Sequence, residues 1–106
     1  MKIYTHQTLI ESYCRLSKDY IVYIRNTHTE ENCNLIIKDI IHDEYPTAEA
    51  DYIINTICSN KEAHFIFDRL SLAYKLFSTL CNQITMQVFL FTPEDGLMDS
   101  INWKGY

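Results

Sequence analysis

The segment Tyr20–Arg25, reading YIVYIR, narrows the choice of fold more than any other stretch of the chain. It is rich in β-branched and aromatic residues, and both of its alternating faces are apolar: Tyr20, Val22 and Ile24 on one, Ile21 and Tyr23 on the other. A strand with one polar face can border water, whereas a strand with two apolar faces has to be covered on both sides. The rest of the chain must supply those covers or leave one of them to a partner.

The flanking patterns supply most of them. After Tyr20–Arg25 the residues Asn26-Thr27-His28-Thr29 break the alternation, and Thr27 or Thr29 can cap a helix whose first turn carries Glu30 and Glu31, where carboxylates suit the helix dipole. Cys33, Ile36, Ile37, Ile40 and Ile41 form its inward stripe, which Leu35 widens. The helix ends at Asp43-Glu44-Tyr45-Pro46, because the residue before a proline is pushed out of the helical region. Thr47 is placed to cap a second helix with the stripe Ala50, Ile53, Ile54, Ile57 and Cys58, and Ser59-Asn60 stops it.

Glu62–Phe67 reads as a short aromatic strand, with Ala63, Phe65 and Phe67 to one side and His64 and Ile66 to the other. Asp68 is placed to cap a third helix, whose apolar face is Leu72, Ala73, Leu76, Phe77, Leu80 and Cys81, with Asn82 in its C-terminal turn. Ile84–Phe91 is again a strand with two apolar sides. Upstream, Met1–Tyr4 could form a short strand, and Thr8–Ser17 a helix opened by a Thr8–Glu11 capping box. Thr92-Pro93-Glu94-Asp95-Gly96 is turn chemistry, and the remaining LMDSINWKGY is a tail that folds back through Leu97, Met98, Ile101 and Trp103 or reaches for a partner. The expectation is a two-layer α+β domain with a β-α-α-β-α-β core around a three-stranded sheet. Its parts are an N-terminal helical extension over residues 1–19, the core over 20–91 and a tail over 92–106. A chain of 106 residues has material for one core.

Charge and chemistry exclude several functions. Nine Lys and Arg against fourteen Asp and Glu give a formal charge of −5, and the cations are scattered, so no basic stripe for nucleic acid is expected. No apolar run is long enough to span a membrane, and the N-terminus lacks the apolar core of a secretion signal. Cys14, Cys33, Cys58 and Cys81 never form a close pair in sequence, so they read as buried reduced thiols of a cytoplasmic protein and not as zinc ligands or a disulfide framework. A Cys–His nucleophile would need His28 or His42 oriented against Cys33 or Cys58, and helix-face spacing favours packing for both thiols. His64 reads as a partly buried ring, and His6 and His42 as surface residues. The acidic pairs Asp43-Glu44 and Glu94-Asp95 lie in turns without a calcium-loop pattern, and the two glycines form no phosphate cradle. No catalytic residue, metal or cofactor is expected.

The order strand, two helices, strand, helix, strand within Tyr20–Phe91 resembles the adaptor of the bacterial Clp protease and, at the level of fold, the C-terminal domain of the ribosomal stalk protein. The passage from YIVYIRNTH to HDEYPTAEADYIINTICS can be laid over the adaptor pattern without a gap to about Asn60. The resemblance implies a pocket beside the first strand that grips the free α-amine and the bulky first side chain of a substrate protein. Asn26 would keep the amine-binding Asn, while Thr27 stands where that family has an Asp and Cys58 where it has a His. Asn32, Leu35, Ile54 and Ile57 would take the wall positions, and His28 or Glu30 could supply a replacement charge partner. The resemblance therefore implies a pocket whose charge recognition has been lost.

Helices on one side of a three-stranded sheet leave Ile21, Tyr23, Ile66, Phe89 and Phe91 on the other. The N-terminal helix or the tail with Trp103 could cover them, or another chain could, either a twin subunit or a target. The functional expectation is a non-enzymatic protein-binding domain, an adaptor-like regulator of another protein. Its contact residues would be Asn26, Thr27, His28, Asn32, Leu35, Ile54, Ile57 and Cys58 with Phe89, Phe91 and Trp103. The alternative is a small acidic inhibitor, an immunity protein or a phage-encoded antagonist, that mimics the acidic ligand of a basic enzyme.

Overall fold

A computed structural model of the chain describes residues 2–81 and 86–101. The elements are α1 (Lys2–Ser17), β1 (Tyr20–Arg25), α2 (Glu30–Glu44), α3 (Thr47–Cys58), β2 (Glu62–Phe67), α4 (Leu70–Leu80), β3 (Gln87–Thr92) and β4 (Gly96–Ile101). The strands form one sheet in the order β2-β1-β3-β4, with every neighbouring pair antiparallel. The fold is α+β, and the expected β-α-α-β-α-β order is present within it.

The two-faced strand β1 sits inside the sheet and separates two cores. Val22 and Ile24, with Phe65, Ala63, Leu90 and Val88 beside them in register, face α2, α3 and α4. Ile21 and Tyr23, beside Phe91 and Phe89, face the other way and meet Ile10 and Cys14 of α1. The Tyr23 ring stacks between His64 and Phe89, at 4.8 and 5.3 Å, so aromatic pairing runs across three strands on this second face. The N-terminal helix therefore provides the second cover. Trp103, the other candidate for that role, lies outside the described residues, as do Asn82 and the start of the expected strand at Ile84.

Several local expectations are corrected. The N-terminal segment is one helix from Lys2, with no strand at Ile3-Tyr4. Thr8 is consequently in mid-helix, where it has no N-terminus to cap; Glu11 instead reaches the sheet, its carboxylate accepting the Leu97 N–H at 3.2 Å. Thr29, the second of the two proposed caps, closes α2 by accepting the Asn32 N–H at 3.3 Å. Thr47 and Asp68 cap nothing: Pro46 and Arg69 occupy the N-cap positions of α3 and α4 without a side-chain bond. Leu35 is exposed, because two residues past Cys33 it falls on the side of α2 opposite the buried Cys33–Ile37–Ile41 stripe. Leu72 of α4 is likewise exposed, while Ala73, Leu76, Phe77 and Leu80 carry the packing.

The largest correction is a fourth strand, because the segment read as a tail turns back at Pro93–Asp95 and pairs with β3 as β4. Thr92 Oγ1 accepts the Asp95 N–H at 3.1 Å, which tightens the turn, and Gly96 follows at φ +65°. That conformation suits glycine, and space demands it as well: a Cβ on Gly96 would stand 2.9 Å from Glu11 Cδ. Gly96→Ala is expected to lower stability by about 1–2 kcal/mol, from backbone strain added to displacement of Glu11. Urea denaturation of G96A beside Glu11→Ala and the double variant separates the two: the double variant should recover only the part due to crowding.

Candidate protein-binding surfaces

Of the residues that the adaptor resemblance would gather into one pocket, Asn26, Thr27, Ile57 and Cys58 lie together around the ends of β1 and α3, while Asn32 and Leu35 are exposed on α2 and Ile54 lines another cleft. Asn26 is buried, and its side chain is fully engaged inside the fold. Its Oδ1 accepts the His28 N–H at 2.9 Å, and its Nδ2 donates to the Ile57 carbonyl at 3.3 Å. Its backbone N–H donates to the Lys61 carbonyl at 2.8 Å. Asn26 thus ties the end of β1 to the end of α3 and the start of β2. Thr27 is exposed and borders a cleft that Arg25, Asn26, Lys61 and Glu62 also line. Asn32 and Leu35 are exposed on α2, whereas Ile57 is fully buried. Ile54 lines a different cleft, between α2 and α3, with Lys38, His42 and Asp51. Phe89 and Phe91 are buried beneath α1, which removes them from any surface the described chain presents. His28 is half-buried, and its Nε2 meets no hydrogen-bond partner among the described residues.

The thiols are placed for packing. Cys33 and Cys58 lie in hydrogen-bond contact between the start of α2 and the end of α3, and burial raises the pKa of both. Burial also pushes the Cys14 thiol up to about 11. At neutral pH these groups are protonated, which makes them weak nucleophiles. The described residues contain no cluster of three or more His, Cys, Asp or Glu able to hold a metal ion, and no helix long and apolar enough to cross a membrane.

Two surfaces remain. The first is an apolar trough between α1 and β2, lined by Leu9, Ile10, Tyr13, Ile21, His64 and Ile66. Helix α1 carries two adjacent stripes: Ile10 and Cys14 face the sheet, while Leu9, Tyr13 and Leu16, at i, i+4 and i+7, turn outward. Leu9 is 64% exposed, Tyr13 43% and, on the facing strand, Ile66 54%. The cause is the position of the helix, which packs mainly on β3 and β4 and less on β1. Sequence periodicity identifies all four of Leu9, Ile10, Tyr13 and Cys14 as one apolar face. One helix packed on a sheet does not bury an apolar face that broad, and the packing shows that Leu9 and Tyr13 are the half left open.

The second surface is electrostatic. The hairpin of α2 and α3 carries Glu30, Glu31, Asp39, Asp43, Glu44, Glu49 and Asp51, all exposed, and a single lysine, Lys38. His42 Nε2 lies 3.2 Å from Asp51 Oδ1 and links the two helices. Since the whole chain carries −5, this hairpin accounts for more than the entire net charge, and the remainder is close to neutral.

Two outcomes test this account of the buried groups. Asn26→Ala should cost about 2 kcal/mol, because it strands buried partners at the junction of β1, α3 and β2; chemical denaturation measures it. Stability should also fall in alkali. Below the ordinary thiol value of 9.0 both folded and unfolded chains keep their protons, and the contribution of burial is complete. As pH rises from 9.0 toward about 11, the unfolded chain releases the Cys14 proton while the folded chain holds it, so stability is progressively lost. Tyr45, pushed by burial from 10.0 to about 12, adds to the loss in the same direction. The urea midpoint should therefore drop as pH rises from roughly 9 to roughly 11. Compared with known proteins, the chain matches no protein-family model, no curated protein and no solved structure.

Proposed function

We propose that this chain is a non-enzymatic protein-binding domain that regulates or tethers another protein, with the α1–β2 trough as its contact site. The observation that carries the reading is the outward stripe of α1 facing Ile66 across the trough: adjacent large apolar side chains, left open beside a well-packed core. Burying the exposed Leu and Ile side chains against a partner would contribute about 1.5–3 kcal/mol each, enough to make them dominant contacts. Kinship with the Clp adaptor belongs to the same reading, supported by the shared order of elements from β1 to β3. Against amine recognition stand the engaged side chain of Asn26 and the residues Thr27 and Cys58. In this reading the contact has moved from the amine pocket to the opposite face of the sheet. Four free cysteines, three of them buried, fit a reducing cytoplasm.

A second reading is favoured by the acidic hairpin: an inhibitor that presents the outer faces of α2 and α3 to a basic enzyme. Its affinity would fall steeply with salt, while a trough contact would change little.

Crosslinked co-purification from the native host with two surface variants decides between them. Leu9→Asp combined with Ile66→Asp is expected to lose the partner by more than tenfold while Asp39→Lys combined with Glu44→Lys retains it. The reverse pattern supports the inhibitor reading. Equal recovery by both variants, with each shown to be folded by circular dichroism, overturns both readings.

A further inference from the structure

The sheet ends on one side at β2, and the hydrogen-bond alternation determines which backbone groups face outward there. Asn26 N–H donates to the Lys61 carbonyl, which marks these two residues as a hydrogen-bonded pair. Counting along the register, Ala63, Phe65 and Phe67 turn their N–H and C=O groups toward β1, and Glu62, His64 and Ile66 turn theirs away from the sheet. The side chains of Glu62 and His64 are engaged with Tyr23, through a 2.7 Å hydrogen bond and a stacked ring, so strand addition would use their backbones only. Of the usual protections of an edge, β2 has no proline and no bulge across its six paired residues, and Glu62 is its single charged side chain. The opposite edge differs, with an irregular register between β3 and β4 at Leu90 and Phe91 and α1 packed over it.

We propose that two copies of this chain associate by antiparallel pairing of β2 with β2, about a two-fold axis at His64, to form one continuous eight-stranded sheet. Sequence selects that register among those that bring outward-facing groups together. With His64 opposite itself, Glu62 faces Ile66 of the second copy and three pairs exchange about six hydrogen bonds. On the helical side Ala63 faces Phe65 of the second copy, a small side chain opposite a large one in a closely spaced pair. A shift of the axis to Phe65 would set Glu62 against Asp68 and Lys61 against Arg69, two repulsive pairs, each occurring twice. A shift to Ala63 would set Ala63 against itself and leave only Glu62 and His64 paired within the strand. Apolar side chains flank the edge on both faces, Ile66 on one and Tyr52, edge-on to Phe65, on the other. A contact six residues long is small, so the dissociation constant should be on the order of 10–100 µM.

Sedimentation equilibrium should show twice the chain mass at high concentration, and Ile66→Pro should abolish it. That proline removes an N–H that points away from β1, so the fold is expected to keep its circular dichroism spectrum. The register is read by cysteine pairing with oxidised glutathione as the oxidant. His64→Cys should crosslink to itself, and Glu62→Cys should crosslink to Ile66→Cys in a mixture, while neither of the latter crosslinks alone. Should I66P fail to fold, the crosslinks decide the matter. A monomer at all concentrations overturns the proposal, as does a dimer that persists in I66P or forms without the His64→Cys crosslink. A monomeric result would leave the trough reading standing, since partner capture by Leu9→Asp alone, on α1 and away from the edge, judges that reading separately.

Discussion

Burial of β1 on both faces is the constraint from which the architecture follows. Once Val22 and Ile24 are packed against α2, α3 and α4, Ile21 and Tyr23 are on the reverse of the sheet beside Phe89 and Phe91, and water there would face a continuous aromatic surface. Helix α1 removes most of that surface. One helix is about 10 Å across, however, while strands about 4.8 Å apart put the outer axes of a four-stranded sheet roughly 14 Å apart, before their side chains are counted. Three helices suffice on the first face; a single helix on the second does not. Because Glu11 and Leu97 hold α1 toward β4, the shortfall appears over β2, and this is the origin of the trough.

What the sequence made legible corresponds to how strongly each segment states its own partner. The bounds of β1 and β2, and the ends of α2 and α3, could be read because period-two or helical apolar patterns stop abruptly at Asn26, Tyr45-Pro46, Ser59 and Asp68. The fourth strand could not be read in advance, since Leu97 and Met98 form too short a pattern; pairing with β3 and the Glu11 contact make the segment a strand. Caps were the least legible feature. Thr8, Thr47 and Asp68 all have suitable side chains, but capping depends on where the backbone turns, and only Thr29 sits at such a turn. The candidate site divides in the same way. Ile66 could be assigned to the far face from alternation alone, while the exposure of Leu9 and Tyr13 depends on the lateral position of α1, which no local pattern encodes.

Asn26 shows how a residue type can suit two roles that exclude one another. A buried amide with one acceptor and two donors can hold an incoming ammonium or close a junction of three elements, but here its Oδ1 and Nδ2 both have partners within the chain. Releasing it to a ligand would strand the Ile57 carbonyl and the His28 N–H, a cost comparable to what the ligand bond would contribute.

The net charge of −5 likewise conceals an uneven distribution, with the outer faces of α2 and α3 strongly acidic and the α1 face nearly neutral and apolar. Two chains meeting at β2 would keep these surfaces apart. A two-fold axis perpendicular to the sheet leaves both α1 helices on one face and both acidic hairpins on the other, so like-charged hairpins flank the joined sheet without facing one another. On the α1 face the two troughs would merge over β2 and its symmetry mate, with one α1 as each wall and the four strands β1, β2, β2 and β1 as the floor. Four strands span roughly 14 Å between outer axes, and a helix is about 10 Å across. A groove of that width has room for one helix laid between the two walls.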